Sequence, residues 1–373
     1  MKNVLFVAHL QSHIVNFHMP YIEYFKEKGY TVFIATKLNR DRYDYIKEDK
    51  NIKWVDIDIP RTPYSYKAFS ALKELKTLMK EVNFNLIHVH TPVGGFLGRL
   101  ATKISGSGPV LYTAHGFHFY KGAPLSYWLT YYVAERIASR WTDGLITINN
   151  EDYVAAKSKL KVRNNSVFKV NGVGVEFNNS NEEKDVRKEL EIENNDFVIT
   201  MIGELNKNKN QMQLIKSLPE IICNHSNVKV IFAGEGEEIS NLKEEAENLG
   251  ISNNIMFLGW RNDIYNIIEA SDVICSFSQR EGLPKNIMEA MILGKPVIAT
   301  DVRGNKDLIK HGFNGYLVGL NDFCDTRKYL IDLIGNKEKI DFLRKNTLAE
   351  VEKYKLKSVM EEMDKIYQMY LRE

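Results

Sequence analysis

The sequence predicts an α/β protein made of two doubly wound domains. Short apolar segments alternate with helical patterns along all 373 residues, which is typical of parallel sheets covered by helices on both faces. The alternation begins at residues 4–8 and begins again at residues 197–202. Between the two series, the stretch 176–184 is polar, rich in Asn and Glu, and predicts a linker. We therefore place a first domain at 1–178 and a second domain at 179–349.

The composition is that of an ordinary globular protein, with 44% hydrophobic and 26% charged residues. No apolar run reaches the roughly 18 residues of a transmembrane helix, so we expect none. The chain enters its first strand at once, without the pattern of a signal peptide, and we expect it to stay in the cytoplasm. The three cysteines, at 223, 275 and 324, lack metal-ligand spacing and are predicted to be reduced packing residues.

The charge is unevenly divided along the chain. Residues 1–180 contain 24 Lys and Arg against 15 Asp and Glu, a balance of +9, whereas residues 181–373 contain 26 against 33, a balance of −7. We expect the basic half to meet an anionic surface or a phosphate-bearing molecule, unless its lysines only solvate the surface. The basic excess lacks interleaved aromatic residues, so we expect no nucleic-acid partner.

One βαβ unit, at residues 273–304, carries an unusual concentration of polar residues. An apolar strand at 273–277 precedes a polar loop, a helix predicted to begin at Pro284 and to end at Gly294, and an apolar strand at 296–300. Ligands of open α/β sheets bind at the carboxyl ends of the strands. The loop at 278–284 is therefore a candidate ligand site.

Two carboxylates stand out in this unit. Glu281 lies in the loop, and Glu289 lies among apolar residues of the helix. Eight helical residues span about 12 Å, so the two cannot act as acid and base on one bond, but they could hold two ends of an extended polar ligand. The alternative for Glu289 is a glutamate favoured only by the helix dipole.

The order of residues in this unit resembles the donor-site signature of family 4 of the glycosyltransferases. The matching elements are Ser278-x-x-Glu281-Gly282-x-Pro284, Glu289-Ala290-Met291, Gly294-x-Pro296-Val297-Ile298-Ala299-Thr300-Asp301 and Gly304. The resemblance covers nearly the whole chain and implies the GT-B fold, in which two Rossmann-like domains face a central cleft. It also implies that a C-terminal helix, at about 350–373, packs back on the first domain.

By this resemblance, the protein transfers a sugar from a nucleotide donor with retention of the anomeric configuration, without a metal or another cofactor. The catalytic residues that the resemblance implies are Glu281 and His115 at the sugar and Lys209 at the diphosphate. The donor-binding residues that it implies are Glu289 at the ribose, together with Gly282, Leu283, Pro284, Lys285, Lys207, Arg303, Gly203, Gly234 and Trp260. A role in the domain core is the alternative for Trp260.

The chain departs from the family pattern in the second half. Glu204 stands where the family commonly has an arginine, which removes one positive charge at the diphosphate. Either Lys207 or Arg303 could replace that charge, and the sequence leaves the choice open.

The first half also departs from the pattern, because the loop at 10–18 lacks the family's glycines and offers His13 and His18 instead. These histidines are candidates for binding the acceptor, and local hydrogen bonding is the alternative for each. Gly94 and Gly95 could let a helix N-terminus open close to a phosphate, and tight packing of that helix on the sheet is the alternative. Aromatic and basic residues in the predicted helix at 125–140 suit a membrane interface, and core packing of half of the aromatic residues is the alternative.

The similarity is to the branch of the family that assembles capsule, exopolysaccharide and O-antigen units. It implies a UDP-sugar donor, a polyprenyl-diphosphate-linked saccharide acceptor, and a peripheral location at the inner face of the cell membrane. Two other functions stay open on the sequence alone. One is a GT-B epimerase that acts on UDP-N-acetylhexosamine, and the other is a non-catalytic partner that binds nucleotide sugars within an assembly complex.

Overall fold

The computed structural model describes residues 2–39, 49–62, 65–177 and 185–371. The chain divides into two compact units, of which one comprises Met1–Val173 and Val359–Glu373 and the other comprises Gly174–Ser358. The predicted boundary at 178/179 and most of the predicted linker lie outside the described residues. Each unit is built on a parallel sheet, so the predicted class of two Rossmann-like domains is confirmed.

The first unit contains a sheet of seven parallel strands in the order β3-β2-β1-β4-β5-β6-β7. The strands are β1 (Asn3–Leu10), β2 (Thr31–Lys37), β3 (Ile52–Asp56), β4 (Leu86–His90), β5 (Val110–Ala114), β6 (Gly144–Thr147) and β7 (Val167–Lys169). The helices are α1 (Gln11–Phe17), α2 (Met19–Glu27), α3 (Lys67–Glu81), α4 (Pro92–Ser105), α5 (Leu125–Tyr127), α6 (Val133–Ala138) and α7 (Asn150–Lys159). A π-helical turn at Trp128–Tyr132 joins α5 to α6, and 3₁₀ turns lie at Ser139–Trp141 and Arg163–Asn165.

Alternate residues of the first unit's strands face opposite layers of helices, as the two-residue period of a strand requires. On β1, Leu5 and Val7 belong to the core that includes α3 and α4. Phe6, between them, instead contacts Phe25 of α2 edge to face, with ring centroids 6.0 Å apart. Helices therefore cover both faces of this sheet, which explains why the strands are apolar at successive positions.

The second unit contains a sheet of six parallel strands in the order β10-β9-β8-β11-β12-β13. The strands are β8 (Phe197–Ile202), β9 (Val228–Ala233), β10 (Ile255–Gly259), β11 (Val273–Ser276), β12 (Val297–Thr300) and β13 (Gly315–Val318). The helices are α8 (Val186–Glu189), α9 (Gln211–Ser217), α10 (Pro219–Asn224), α11 (Ile239–Asn248), α12 (Ile264–Ala270), α13 (Lys285–Ile292), α14 (Asn305–Leu308), α15 (Phe323–Leu333) and α16 (Lys337–Glu350). 3₁₀ turns lie at Ser252–Asn254 and Val351–Tyr354.

The last helix, α17 (Leu356–Tyr370), belongs for most of its length to the first unit. Its residue Tyr367 is fully buried there, and the hydroxyl forms a 3.0 Å hydrogen bond with Nδ1 of His88 on β4. The ring of Tyr367 also packs edge to face on Phe25, at 4.7 Å between centroids. The helix thus completes the layer that α2 begins.

Several sequence expectations differ from the structure. Residues 11–17, expected in a loop, form α1, because burial of Gln11 and Ile14 on one face supports a short helix. Pro284 stands at the N-cap, so α13 begins one residue later than expected. All three cysteines are free, but only Cys275 is buried as a packing residue, while Cys223 and Cys324 are exposed. No helix in the described ranges is long and apolar enough to cross a bilayer.

Candidate active site

Three neighbouring strands of the second unit end in loops that are bonded to one another. The strand order runs one way from β8 through β9 and the other way from β8 through β11, so the loops after β8 and β11 flank the topological switch point. The backbone N–H of Gln279 donates to the carbonyl oxygen of Asn208 at 2.7 Å, and its side-chain amide donates to that of Lys207 at 2.8 Å. Such a switch point is the usual ligand site of open α/β sheets.

Lys209 and Glu281, two of the expected catalytic residues, form an ion pair at this point. Nζ of Lys209 lies 2.6 Å from Oε1 of Glu281, and the side chains are 25% and 13% exposed. Gly203 has a φ of +145°, a backbone conformation that favours glycine, and a Cβ there would make only an ordinary contact with Cε of Lys209, at 3.5 Å. The pair therefore offers a cation and a hydrogen-bonding carboxylate at one position, and a ligand can engage either group.

Arg303 lies behind this pair, in the loop after β12. Its Nε donates to the carbonyl oxygen of Glu281 at 3.0 Å, and its side chain is buried. The two loops approach closely at Gly304, where φ is +84° and a Cβ would meet the carbonyl oxygen of Gly282 at 2.5 Å. Lys207, in contrast, has an exposed side chain. Of the two candidates for the missing family arginine, Arg303 contacts the Glu281 loop through its side chain, whereas Lys207 is bonded to that loop through its backbone carbonyl.

Glu289 is buried within α13, with only 8% of its surface exposed. Burial raises the pKa of its carboxyl, and the neighbouring Lys285 ammonium, 3.1 Å away, opposes the rise. The start of this helix is tied to β8, because the side-chain amide of Asn286 donates to the carbonyl oxygen of Ile202 at 2.8 Å. A buried carboxyl with a perturbed pKa beside a ligand-binding edge is a functional candidate rather than a surface residue favoured by the helix dipole.

The remaining expected donor residues of the second unit divide into packing residues and an exposed aromatic. A Cβ at Gly234 would lie 2.0 Å from the carbonyl oxygen of Gly203, so close packing of two loops accounts for that glycine. Leu283 is buried, and Gly282 and Pro284 lie on either side of it in the loop that leads to α13. Trp260 is 58% exposed, which excludes the alternative of a core aromatic.

Four histidines of the first unit lie together at the carboxyl edge of its sheet. His13 belongs to α1, His18 joins α1 to α2, His90 ends β4 and His115 follows β5. Each of these four residues, hereafter the four-histidine group, offers a nitrogen, and these nitrogens all lie within 4.8 Å of one another. Sequence reasoning named three of the four and missed His90, although the His-x-His ending of a buried strand is a visible signal.

The two candidate glycines of the first unit, Gly94 and Gly95, serve packing. A Cβ at Gly95 would lie 2.6 Å from the ring of Tyr112, and one at Gly94 would lie 2.8 Å from Oγ1 of Thr91. Both residues therefore let α4 lie tightly on the sheet, which was the alternative to a phosphate-binding role. The side chain of Arg99, on the same helix, is buried with its guanidinium 2.9 Å from Glu135.

Comparison with known proteins identifies the class that this fold and site define. Residues 3–149 match the family described as Glycosyl transferase 4-like, and residues 182–349 match that described as Glycosyl transferases group 1. EpsD of Bacillus subtilis (strain 168), which is named as a glycosyltransferase, is 35% identical over 99% of this chain and 97% of its own length. The Escherichia coli UDP-Gal:alpha-D-GlcNAc-diphosphoundecaprenol alpha-1,3-galactosyltransferase is 32% identical over 82% and 80%.

Among solved structures, HepE of Anabaena in complex with UDP-glucose superimposes with a TM-score of 0.80. That alignment covers 99% of this chain and all of HepE at 19% identity, and it shows the GT-B fold. The chain is therefore an enzyme of the GT-B class that transfers sugars. It belongs to family 4 of the glycosyltransferases, a family that retains the anomeric configuration.

Proposed function

We propose that this enzyme transfers a sugar from a UDP-sugar to a saccharide carried on a polyprenyl diphosphate, at the inner surface of the cell membrane, in the assembly of a surface polysaccharide. The observation that carries the donor half is the Lys209–Glu281 pair at the switch point of the second unit's sheet, backed by Arg303. The E. coli relative, named for UDP-galactose and a diphosphoundecaprenol-linked acceptor, supports both substrate classes.

In this proposal, positive charge at the switch point stabilises the leaving diphosphate. Lys209 and the Arg303 guanidinium are in place before the bond breaks, so little reorganisation accompanies the development of charge. Binding of the diphosphate would draw Lys209 from Glu281 toward the phosphate oxygens. Backbone N–H groups at the start of α13 would add to that electrostatic stabilisation.

The two carboxylates orient the donor from its two ends. Glu281, released from its full pairing with Lys209, accepts hydrogen bonds from sugar hydroxyls. Glu289 accepts hydrogen bonds from the two ribose hydroxyls, which adds donors to the one that Lys285 supplies to its buried carboxylate. Same-face attack, with a diphosphate oxygen taking the acceptor proton, would give retention without a protein base.

The membrane half of the proposal rests on an exposed apolar stripe in the first unit. Leu125, Leu129, Val133 and Ile137 are 74%, 66%, 44% and 39% exposed, and their spacing of four residues places them along one face of the helical segment 125–138. Three of the four aromatic residues of the same segment, Trp128, Tyr131 and Tyr132, instead pack on the core. The expected core role of the aromatics and a lipid-facing role of the aliphatics are therefore compatible.

A shallow apolar groove lies beside this stripe. Its volume is about 170 Å³, and Ala68 of α3, Phe96 of α4 and Tyr131 are among the residues that line it. Tyr66 and Phe69, which lie within two positions of Ala68 in the sequence, are 86% and 78% exposed. With the excess of basic residues in this half of the chain, these side chains form a surface suited to an anionic lipid interface.

The proposed donor roles are tested by steady-state kinetics after a UDP-sugar panel has identified the donor through hydrolysis and thermal shift. Glu281→Ala is expected to lower kcat chiefly, because it removes an interaction with the reacting sugar. Glu289→Ala is expected to raise the donor KM chiefly, because it removes ribose binding. Glu244→Ala, an exposed glutamate of α11, is the control and should match the wild type. Transfer at wild-type rates by both site variants would contradict the assignment.

A further inference from the structure

The four-histidine group is assembled from three strand ends that are distant in sequence. β1, β4 and β5 are successive neighbours in the sheet, so α1 after β1, His90 at the end of β4 and His115 after β5 meet at one edge. Nε2 of His115 lies 3.4 Å from Nδ1 of His90. The ring of His18 stacks on that of His90 at 3.7 Å, and His13 meets His115 edge to face at 4.6 Å.

Several nitrogens of the group are buried without a hydrogen-bond partner among the described residues. They are both ring nitrogens of His18, Nε2 of His13 and Nε2 of His90. His18 is only 2% exposed and His90 is completely buried. The adjacent His88 is different, since Thr113 and Tyr367 satisfy both of its ring nitrogens. Buried polar atoms are almost always satisfied, so these unpartnered nitrogens point to a ligand.

The chemistry of the group suits a cation that accepts nitrogen ligands. Burial holds the pKa of each of the four imidazoles below its ordinary value, so each is neutral near pH 7 and presents a lone pair. Imidazole-only sets favour zinc, copper and nickel over magnesium and calcium, which take oxygen ligands. Nitrogens bound to one tetrahedral zinc ion stand about 3.3 Å apart, and the group's nitrogens lie within 4.8 Å of one another.

We propose that the four-histidine group binds one divalent transition-metal ion, with zinc as the expected occupant. The group contains no carboxylate among the described residues, so the bound ion would keep its double positive charge and attract an anion. Phe6 stacks against His90 and Phe17 lies beside His13, and these apolar rings shield the ligands from water. The site is built from residues of the first unit alone, whereas Lys209, Glu281 and Glu289 belong to the second unit. Its test therefore does not depend on transfer activity.

The experiment uses the untagged full-length chain, stripped with a chelator and then titrated with zinc chloride or cobalt chloride. We expect one ion per chain, a rise in the melting temperature with zinc but not with magnesium, and a visible absorption spectrum of four-coordinate cobalt. X-ray absorption at the zinc edge of the wild-type protein should show a first shell of nitrogen with the scattering pattern of imidazole. This measurement needs no variant, so a folding defect cannot obscure it.

Variants locate the ion. His18→Gln and His90→Gln should each weaken zinc binding by at least about 100-fold, because each removes a direct ligand. His311→Gln, an exposed histidine of the second unit, is the control for adventitious binding and should leave the affinity unchanged. Absence of stoichiometric binding by the folded wild-type protein, an oxygen-rich first shell, or undiminished binding by both folded variants would each overturn the proposal.

Discussion

The exposed apolar stripe makes a quantitative prediction for membrane binding. Leu125 and Leu129 are 74% and 66% exposed, and complete burial of a leucine side chain contributes about 1.5–3 kcal/mol. Transfer of the exposed parts into lipid therefore contributes roughly 1–2 kcal/mol for each residue and about 2–4 kcal/mol for the pair. We expect the double variant Leu125→Ser/Leu129→Ser to bind vesicles about 30- to 1000-fold more weakly than the wild type.

The assay is co-sedimentation with vesicles that contain phosphatidylglycerol, at several lipid concentrations and two salt concentrations. The control variant is Leu320→Ser/Leu348→Ser, which makes the same substitutions at leucines of the second unit that are 45% and 44% exposed. The control should partition like the wild type, and high salt should weaken all three proteins through the basic residues of the first half. Absence of vesicle binding by the wild-type protein would refute the reasoning, as would a stripe variant whose vesicle affinity is within threefold of the wild-type value.

Three further predictions concern stability. Gly234→Ala should lower the free energy of unfolding by about 1–3 kcal/mol, because its Cβ would meet a backbone carbonyl oxygen at 2.0 Å. Gly250→Ala, where φ is also positive at +68° but the space is open, should cost less in a denaturant titration. Glu289→Gln should raise the melting temperature at pH 7, because the raised pKa of the wild-type carboxyl makes its ionised form unfavourable in the folded protein. The gain should vanish as the pH falls toward 4.5, the ordinary pKa of a glutamate, because the wild-type carboxyl is then protonated. A gain that stays constant with pH would refute this cause. Glu135→Ala should lower the free energy of unfolding by about 3–5 kcal/mol, because it leaves the buried Arg99 without its ion-pair partner. Adding Arg99→Met should recover part of that free energy. A double variant no more stable than Glu135→Ala would show that the cost has another cause.

Strand and helix positions were largely predictable, because two-residue and 3.6-residue periods appear directly in the apolar pattern. The strand at 197–202 is observed with the bounds that the pattern predicts, and those predicted at 273–277 and 296–300 are observed at 273–276 and 297–300. The helix at 11–17 escaped prediction, since its buried face consists of only Gln11 and Ile14. The C-terminal helix expected at about 350–373 begins only at Leu356, after a 3₁₀ turn at Val351–Tyr354 in which Val351 and Tyr354 are buried.

Site residues were predictable by type and only partly by function. Glu281 and Glu289 were recognisable because polar residues followed a buried strand and a motif surrounded them. For Gly94 and Gly95, the sequence left packing and ligand binding equally possible, and for Gly234 the resemblance implied donor binding. The distances from an added Cβ to neighbouring atoms are short enough for packing to account for a glycine at each of the three positions. The exposed aliphatic stripe beside the aromatics was missed, because exposure depends on which face the core covers.

Local sequence settled the elements of this protein, since steric preferences and side-chain periodicity act over a few residues. Glu281 had to fall in a loop and Glu289 in a helix, whatever the strand order. The pairing of Glu281 with Lys209, 72 positions earlier, and the meeting of His90 with His18 depended on which strands lie side by side. Strand order arises from the packing of the whole sheet, so the tertiary structure alone could bring these side chains into contact.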